Sequence, residues 1–302
     1  MGVTTITVEA LERAILQTLL YSDLFDFPLT PEEVAYYLIG MPSTADEVRT
    51  CLAHTHRLAE RVIEIDGYLA LRGREAVIAL RLDRAATSDR LWRRARRFVR
   101  VLRVLPFVRM IAITGALSMN SSGAGDDIDV LIVTAPDRVW LTRAFAIALV
   151  YAGKLCGDTL CPNYVIAERA LVLERHTLFV AHEFVQMVPV YGQDVYDRMC
   201  AANGWIQTIL PNAMCPVWNE PDQQPGTIGR GLKRITEQLL AGRVGDRLEA
   251  WEMRRKLRKF QRQLGRPGGD AILDRDHVKG HFDDYGEPVM QRYAERLAQF
   301  EP

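Results

Sequence analysis

Apolar residues recur at helical spacing over 8–24, in VEALERAILQTLLYSDL, and predict an amphipathic first helix. Pro28 and Pro31 break that pattern. Thr30 then supplies an N-cap for a second helix over 31–39, and Pro42 with Ser43 and Thr44 opens a third over 44–60. Residues 62–73 hold two short alternating runs around Asp66-Gly67, a pair that favours the tight turn of a β-hairpin.

Beyond the hairpin an Arg-rich helical stretch covers 74–105, and Pro106 stops it. Two apolar runs, VRMIAITG (108–115) and DDIDVLIVT (126–134), predict buried strands, with a helix over 137–153 after them. LCPNYVIAE (160–168) and ALVL (170–173) predict two more strands. From Leu178 the pattern is mostly helical. A loop rich in Asn, Pro, Gln and Gly (219–229) precedes one long basic helix over 230–264, and a last amphipathic helix begins near 287. The expected fold class is α+β: a mixed-sheet core in 74–175, a three-helix-and-hairpin module in 1–73 and a helical region in 176–302. The N-terminal order of elements is that of a winged helix.

Composition excludes disorder and a disulfide-stapled miniprotein: 48% of the 302 residues are hydrophobic and 25% are charged. The five cysteines (Cys51, Cys156, Cys161, Cys200 and Cys215) form no Cys-x-x-Cys pair, so neither a disulfide framework nor a zinc site is expected. No basic, apolar leader opens the chain, and the longest apolar stretch, 139–152, is interrupted by Arg143. A cytoplasmic protein without a membrane partner is expected.

The net charge is zero but segregated. Residues 1–72 carry 5 basic and 11 acidic side chains, residues 73–106 carry 10 and 3, and residues 230–266 carry 12 and 4. Affinity for nucleic acid needs Lys and Arg against phosphates, so the acidic winged-helix-like module is a poor DNA reader. The basic helices present either solvated Arg faces or a surface for a polyanion.

Chemistry concentrates in IAITGALSMNSSGAGDDIDVLIVT (111–134). A strand ends at Thr114-Gly115, a turn of small residues follows, and a second strand opens with Asp127-Ile128-Asp129. Alternation along a strand puts Asp127 and Asp129 on one side and Ile128 on the other. Two adjacent carboxylates repel unless a cation lies between them, and Mg²⁺ takes one or two carboxylates plus substrate phosphates. Gly115 permits close backbone approach to a ligand, and the residues after it can offer N–H groups to phosphate. The alternative is plain turn chemistry, with Asp capping backbone N–H groups.

This segment resembles the nucleotidyltransferase superfamily typified by DNA polymerase β, in which a strand, a Gly-Gly or Gly-Ser pair, a spacer and an apolar-flanked Asp-x-Asp follow in order. Residues 111–212 more broadly resemble bacterial nucleotidyltransferase-domain proteins. The resemblance implies transfer of a nucleoside monophosphate from an NTP to an acceptor (RNA, protein or small molecule), with pyrophosphate release and two Mg²⁺ ions. It assigns the metals to Asp127 and Asp129, and the phosphates to Gly115, Ala116, Ser118, Ser121 and Ser122. Ala116 stands where the family carries Gly or Ser, and Leu117 and Met119 stand where minimal members carry Arg. The family's third carboxylate falls first to Glu168, with Asn163, Asp158 and Glu174 as alternatives. A fold that retains the shape and senses nucleotide without turnover is the second reading.

His277, Lys279, His281, Asp283 and Asp284 cluster in a polar loop near the C-terminus, suited to solvent or to substrate. His54 and His56 read as surface residues, His182 and Glu183 as buried and satisfied. Tyr164, Tyr191 and Trp205 suit a core or a base-stacking wall, core being the simpler role.

Overall fold

The computed structural model describes residues 8–154, 160–213, 216, 218, 220–264, 272–279 and 285–300. Helix α1 (Val8–Asp23) buries Leu11, Ile15, Leu19 and Leu20. Helices α2 (Pro31–Tyr36) and α3 (Ala45–His54) both start on capping boxes, Thr30 with Glu33 and Thr44 with Glu47. The third expected helix is interrupted at Thr55, whose extended backbone splits off the single turn α4 (His56–Ala59). Strands β1 (Val62–Ile65) and β2 (Tyr68–Leu71) make the predicted hairpin, with Asp66 and Gly67 both at positive φ.

Helix α5 (Ala76–Leu102) leads into strand β3 (Val108–Ile113). A single turn, α6 (Gly115–Ser118), separates it from β4 (Ile128–Thr134). Then follow α7 (Val139–Lys154), β5 (Leu160–Ala167), α8 (Leu178–Gln186), β6 (Val188–Tyr191), α9 (Gln193–Ala202) and α10 (Ile206–Ile209). Helices α11 (Thr227–Leu239) and α12 (Gly242–Leu264), strand β7 (His277–Lys279) and helix α13 (Gly286–Phe300) complete the described chain.

The central sheet is five-stranded in the order β6-β3-β4-β5-β7. Only β4 and β5 run parallel, joined across α7; every other pairing is antiparallel. The fold is therefore α+β with a mixed sheet. Val108, Ile111, Ile113, Val130, Ile132 and Val165 pack on one face with Trp92 and Phe98 of α5 and Trp140 of α7. Met110, Ala112, Leu131, Val133 and Ile166 pack on the other with residues of α1, α8, α9 and α13. Both faces are covered, so β3 and β4 read as unbroken apolar runs.

Several expectations change. Strands β6 and β7 lie in regions read as helix and loop, so the region beyond 176 supplies both edges of the sheet. They are four and three residues long, and β6 contains Pro189, which an edge strand tolerates. Residues 170–173 form no strand: the Asn203 amide donates to Leu171 O (2.8 Å) and accepts from Leu173 N (2.8 Å), doing the work of a partner strand. The basic helix expected over 230–264 breaks at Gly242, which has φ +64°.

The segregated charges meet. Arg81 of α5 forms two bonds to Glu33 (2.6 and 2.7 Å) and lies over the Phe27 ring, while Arg74 binds Asp23 (2.9 Å) and Asp26. The acidity of residues 1–72 is thus partly docking charge for the Arg-rich helix behind it. No helix among the described residues is long and apolar enough to cross a membrane.

Helix α7 starts on a distant acid. Glu249 of α12, buried, accepts from the backbone N–H groups of Trp140 (2.9 Å) and Leu141 (2.7 Å). Replacing it leaves two buried donors bare. Glu249→Ala is expected to cost about 1–2 kcal/mol in a urea melt, with Glu249→Gln recovering part of that loss.

Candidate functional site

Antiparallel register builds the site. Ile113 at the end of β3 stands opposite Val130 of β4, and Thr114 N donates to Asp129 O at 3.1 Å. Gly115 is thereby set against the Asp129 side chain. It has φ +66°, and a Cβ there would lie 2.8 Å from Asp129 Oδ2. The left-handed backbone favours glycine, and a Cβ there would push the Asp129 carboxylate aside.

Asp129 lines a cavity of about 910 Å³. Thr114, Gly115, Ala116 and Ser121 border it on the same side. Tyr21 and Phe27 from the N-terminal helical module, Phe179 of α8 and Val289 of α13 contribute apolar walls. Asp127 lies just outside, exposed, one residue before β4 begins. Turn capping falls to a third carboxylate: Asp126 Oδ2 accepts from Gly123 N at 2.8 Å. Burial, and then the charges of Asp127 and Asp126, hold Asp129 up at about 6 despite a bond from Cys161.

The phosphate residues expected from sequence divide. Gly115, Ala116 and Ser121 face the cavity. Ser118 does not, because its hydroxyl donates to Gly115 O (2.8 Å). Ser122 is fully buried behind the turn, its N–H donating to Ser88 Oγ of α5 (2.9 Å). The hydroxyl that sequence reasoning missed is Thr114: it borders the cavity, and its Oγ1 is buried without a partner among the described residues. As the last residue of an apolar strand it carried no signal beyond its neighbour Gly115.

Glu168 is not brought to the aspartates. It follows β5 at the far end of the sheet, where its N–H donates to Thr134 O and its carboxylate pairs with Arg198. Asp129 is level with Cys161, and at about 3.3 Å per residue the five positions from Asp129 to Thr134 are a span of some 16 Å. The β5 residues near Asp129 are Cys161, its register partner, and Asn163, whose Oδ1 is buried without a partner among the described residues. Glu174 borders the cavity from an exposed position, and Asp158 lies outside the described residues.

Glu183 corrects a second expectation. It is exposed and borders the cavity; desolvation by the surrounding protein, and to a lesser degree the charge of Asp129, raise it to about 7 against the opposing pull of Lys279. Its neighbour His182 is buried as expected, stacked on Tyr21 (4.1 Å) and lowered by burial to about 4, hence neutral. The polar segment near the C-terminus also reaches the cavity, through His277, Lys279 and Tyr285, while His281, Asp283 and Asp284 lie outside the described residues. Tyr164 stands on the cavity wall, Tyr191 meets Lys233 at 3.0 Å, and Trp205 stacks on His176. His54 and His56 are exposed, as expected.

Comparison with known proteins finds no matching family model, no matching curated protein and no matching solved structure. The functional reading therefore stands on residues and geometry.

A carboxyl group raised above its ordinary 3.8 destabilises the folded chain most where it is ionised. For Asp129 that cost is absent below about pH 4, grows with rising pH and is complete above about 6. Asp129→Asn is accordingly expected to stabilise the ligand-free protein by on the order of 2 kcal/mol at pH 7.5 and by little at pH 4. Paired urea titrations at the two pH values measure the difference; a capping aspartate would give the opposite sign at pH 7.5.

Proposed function

We propose that the protein is a Mg²⁺-dependent nucleotidyltransferase, moving a nucleoside monophosphate from an NTP to an acceptor with release of pyrophosphate. The observation that carries this reading is the meeting of Gly115 with Asp129, beside Asp127, at a cavity of about 910 Å³. A volume of that order suits a nucleotide together with a small acceptor group.

The donor set fits a hard divalent cation. Asp127 and Asp129 offer oxygen only, and their mutual repulsion is what such an ion relieves. Among the described residues no three His, Cys, Asp or Glu side chains converge as ligands, so substrate phosphates and water would fill the remaining positions. When bound, Mg²⁺ supplies charge neutralisation at the phosphates. The chain's own part is positional. The Gly115–Ala116 backbone and the Thr114 and Ser121 hydroxyls would seat the phosphates. Glu183, poised near neutrality inside the same cavity, would take the proton of an acceptor hydroxyl.

The N-terminal module, whose element order resembles a winged helix, would serve as a wall of this cavity rather than as a DNA reader, since Tyr21, Phe27 and Tyr37 line it. The protein would act in the cytoplasm, on an acceptor that is RNA, protein or a small molecule. One observation favours a second reading, a nucleotide sensor without turnover: Cys161 and Asn163 occupy the β5 positions beside Asp129, where a carboxylate would complete a triad.

Thermal shift with each NTP separates binding from its absence. With Mg²⁺ and ligand a hundred-fold above Kd, a rise on the order of 5 °C is expected, and Asp127→Asn or Asp129→Asn should remove it. The rise should fade as pH drops through about 6, where Asp129 takes up a proton. Transfer of label from α-labelled NTP decides between the readings. Label on an acceptor, lost in Glu183→Gln with binding intact, supports the enzyme. Binding without transfer to any acceptor supports the sensor.

A further inference from the structure

Helix α11 turns its polar side inward. Lys233 is buried; its ammonium donates to Val108 O (2.5 Å), Arg103 O (3.1 Å) and Tyr191 Oη (3.0 Å). Glu237 accepts from Phe107 N (2.7 Å) and from Arg109 (2.8 Å). The outward side carries Ile228, Leu232, Ile235 and Leu239, spaced i, i+4, i+7 and i+11, and thus aligned in one stripe. Their exposures are 90%, 54%, 56% and 70%. A helix that covers a core buries its stripe. Here rotation to bury it would strip Lys233 of three acceptors, so the polar anchors hold the apolar stripe out in solvent.

Helix α12 repeats the pattern in its first turns, with Val244, Leu248 and Trp251 exposed by 58%, 38% and 54%. The exposed charge that flanks the second stripe is positive: Arg247, Arg254 and Arg258 of α12 lie along one side of it, while Arg234 of α11 stands further round its helix from the first stripe. The acids of the two helices are already committed. Glu237 is bound to Arg109, Asp246 to Arg138, Glu249 to the start of α7 and Glu252 to Arg255.

Apolar stripes with arginine along one side of the second, and a tryptophan within it, match an interface that is apolar below and anionic at its surface. We infer that α11, with the first turns of α12, is a peripheral docking surface for an anionic lipid bilayer. A second copy of the chain, meeting this face with the same face, fits less well, because it would set these arginines against one another with the acids of both helices already engaged. Docking of this kind needs no spanning helix, and it revises the expectation that the protein has no membrane partner.

Flotation of the full chain with vesicles tests this. Binding to phosphatidylcholine vesicles containing phosphatidylserine should exceed binding to phosphatidylcholine alone by about tenfold or more, and should weaken as salt rises. The double variant Leu232→Ser/Ile235→Ser should lose at least about tenfold of that binding with an unchanged Tm, since both side chains are exposed. Arg247→Glu/Arg254→Glu should lose the preference for anionic vesicles. Mg²⁺-NTP thermal shifts should persist in both variants, so the surface and the nucleotide site fail or stand separately. No binding to anionic vesicles, or binding unaltered by both variants, overturns the proposal. So does a marked fall in Tm for the serine variant, which would show the stripe covered, or a dimer that this variant dissolves.

Discussion

The antiparallel pairing of β3 with β4 is the constraint on which the site depends. Because Ile113 stands opposite Val130, the end of one strand and the beginning of the next meet at one edge of the sheet. Gly115 and Asp129 are neighbours for that reason alone, although fourteen positions separate them in the chain. A slip of one residue would turn Asp129 into the core and Ile128 toward the cavity. The apolar residues of β3 and β4 forbid the slip, since both faces of the sheet are packed. Core burial thus sets the position of a carboxylate that itself resists burial.

That site was legible in the sequence where chemistry and periodicity agreed. Gly115, Asp127 and Asp129 each break an apolar pattern at a strand end, and breaks of that kind announce themselves. What escaped lies on elements brought in from afar. Glu183 sits in an apolar helix at a position that periodicity assigns to packing, and only the cavity shows that it is open. Glu168 drew attention because it closes a strand, yet β5 runs parallel to β4 and so carries its last residue away from Asp129. The direction of a crossover strand is invisible to a local pattern. So are edge strands as short as β6 and β7, whose partners lie far along the chain.

The charge segregation was equally legible, and its meaning was not. The sequence suggested solvated arginines or a polyanion surface on the basic helix that follows the acidic module. In the fold they meet in part along one seam, in which Arg74 and Arg81 answer Asp23, Asp26 and Glu33. A pair such as Arg81 and Glu33, mostly shielded from water, is costly to break because either partner alone would be a stranded charge. The seam therefore fixes orientation more than it adds stability, and orientation is what lets the module present Tyr21, Phe27 and Tyr37 to the cavity.

The remaining positive charge is of another kind. Arg234, Arg247, Arg254 and Arg258 have no acidic counterpart left on their own helices, because Glu237, Asp246 and Glu249 serve inward contacts and Glu252 is held by Arg255. Lys233 explains why the arrangement holds. Its burial lowers the ammonium to about 8 against the pull of Glu237, yet three oxygen acceptors keep it in place. A side chain that is costly to desolvate has been driven under a helix whose leucines and isoleucines remain in water. Keeping that stripe in water forgoes the stabilisation its burial would bring. A partner that covered the stripe would recover that stabilisation, so the cost of exposure points outward from α11.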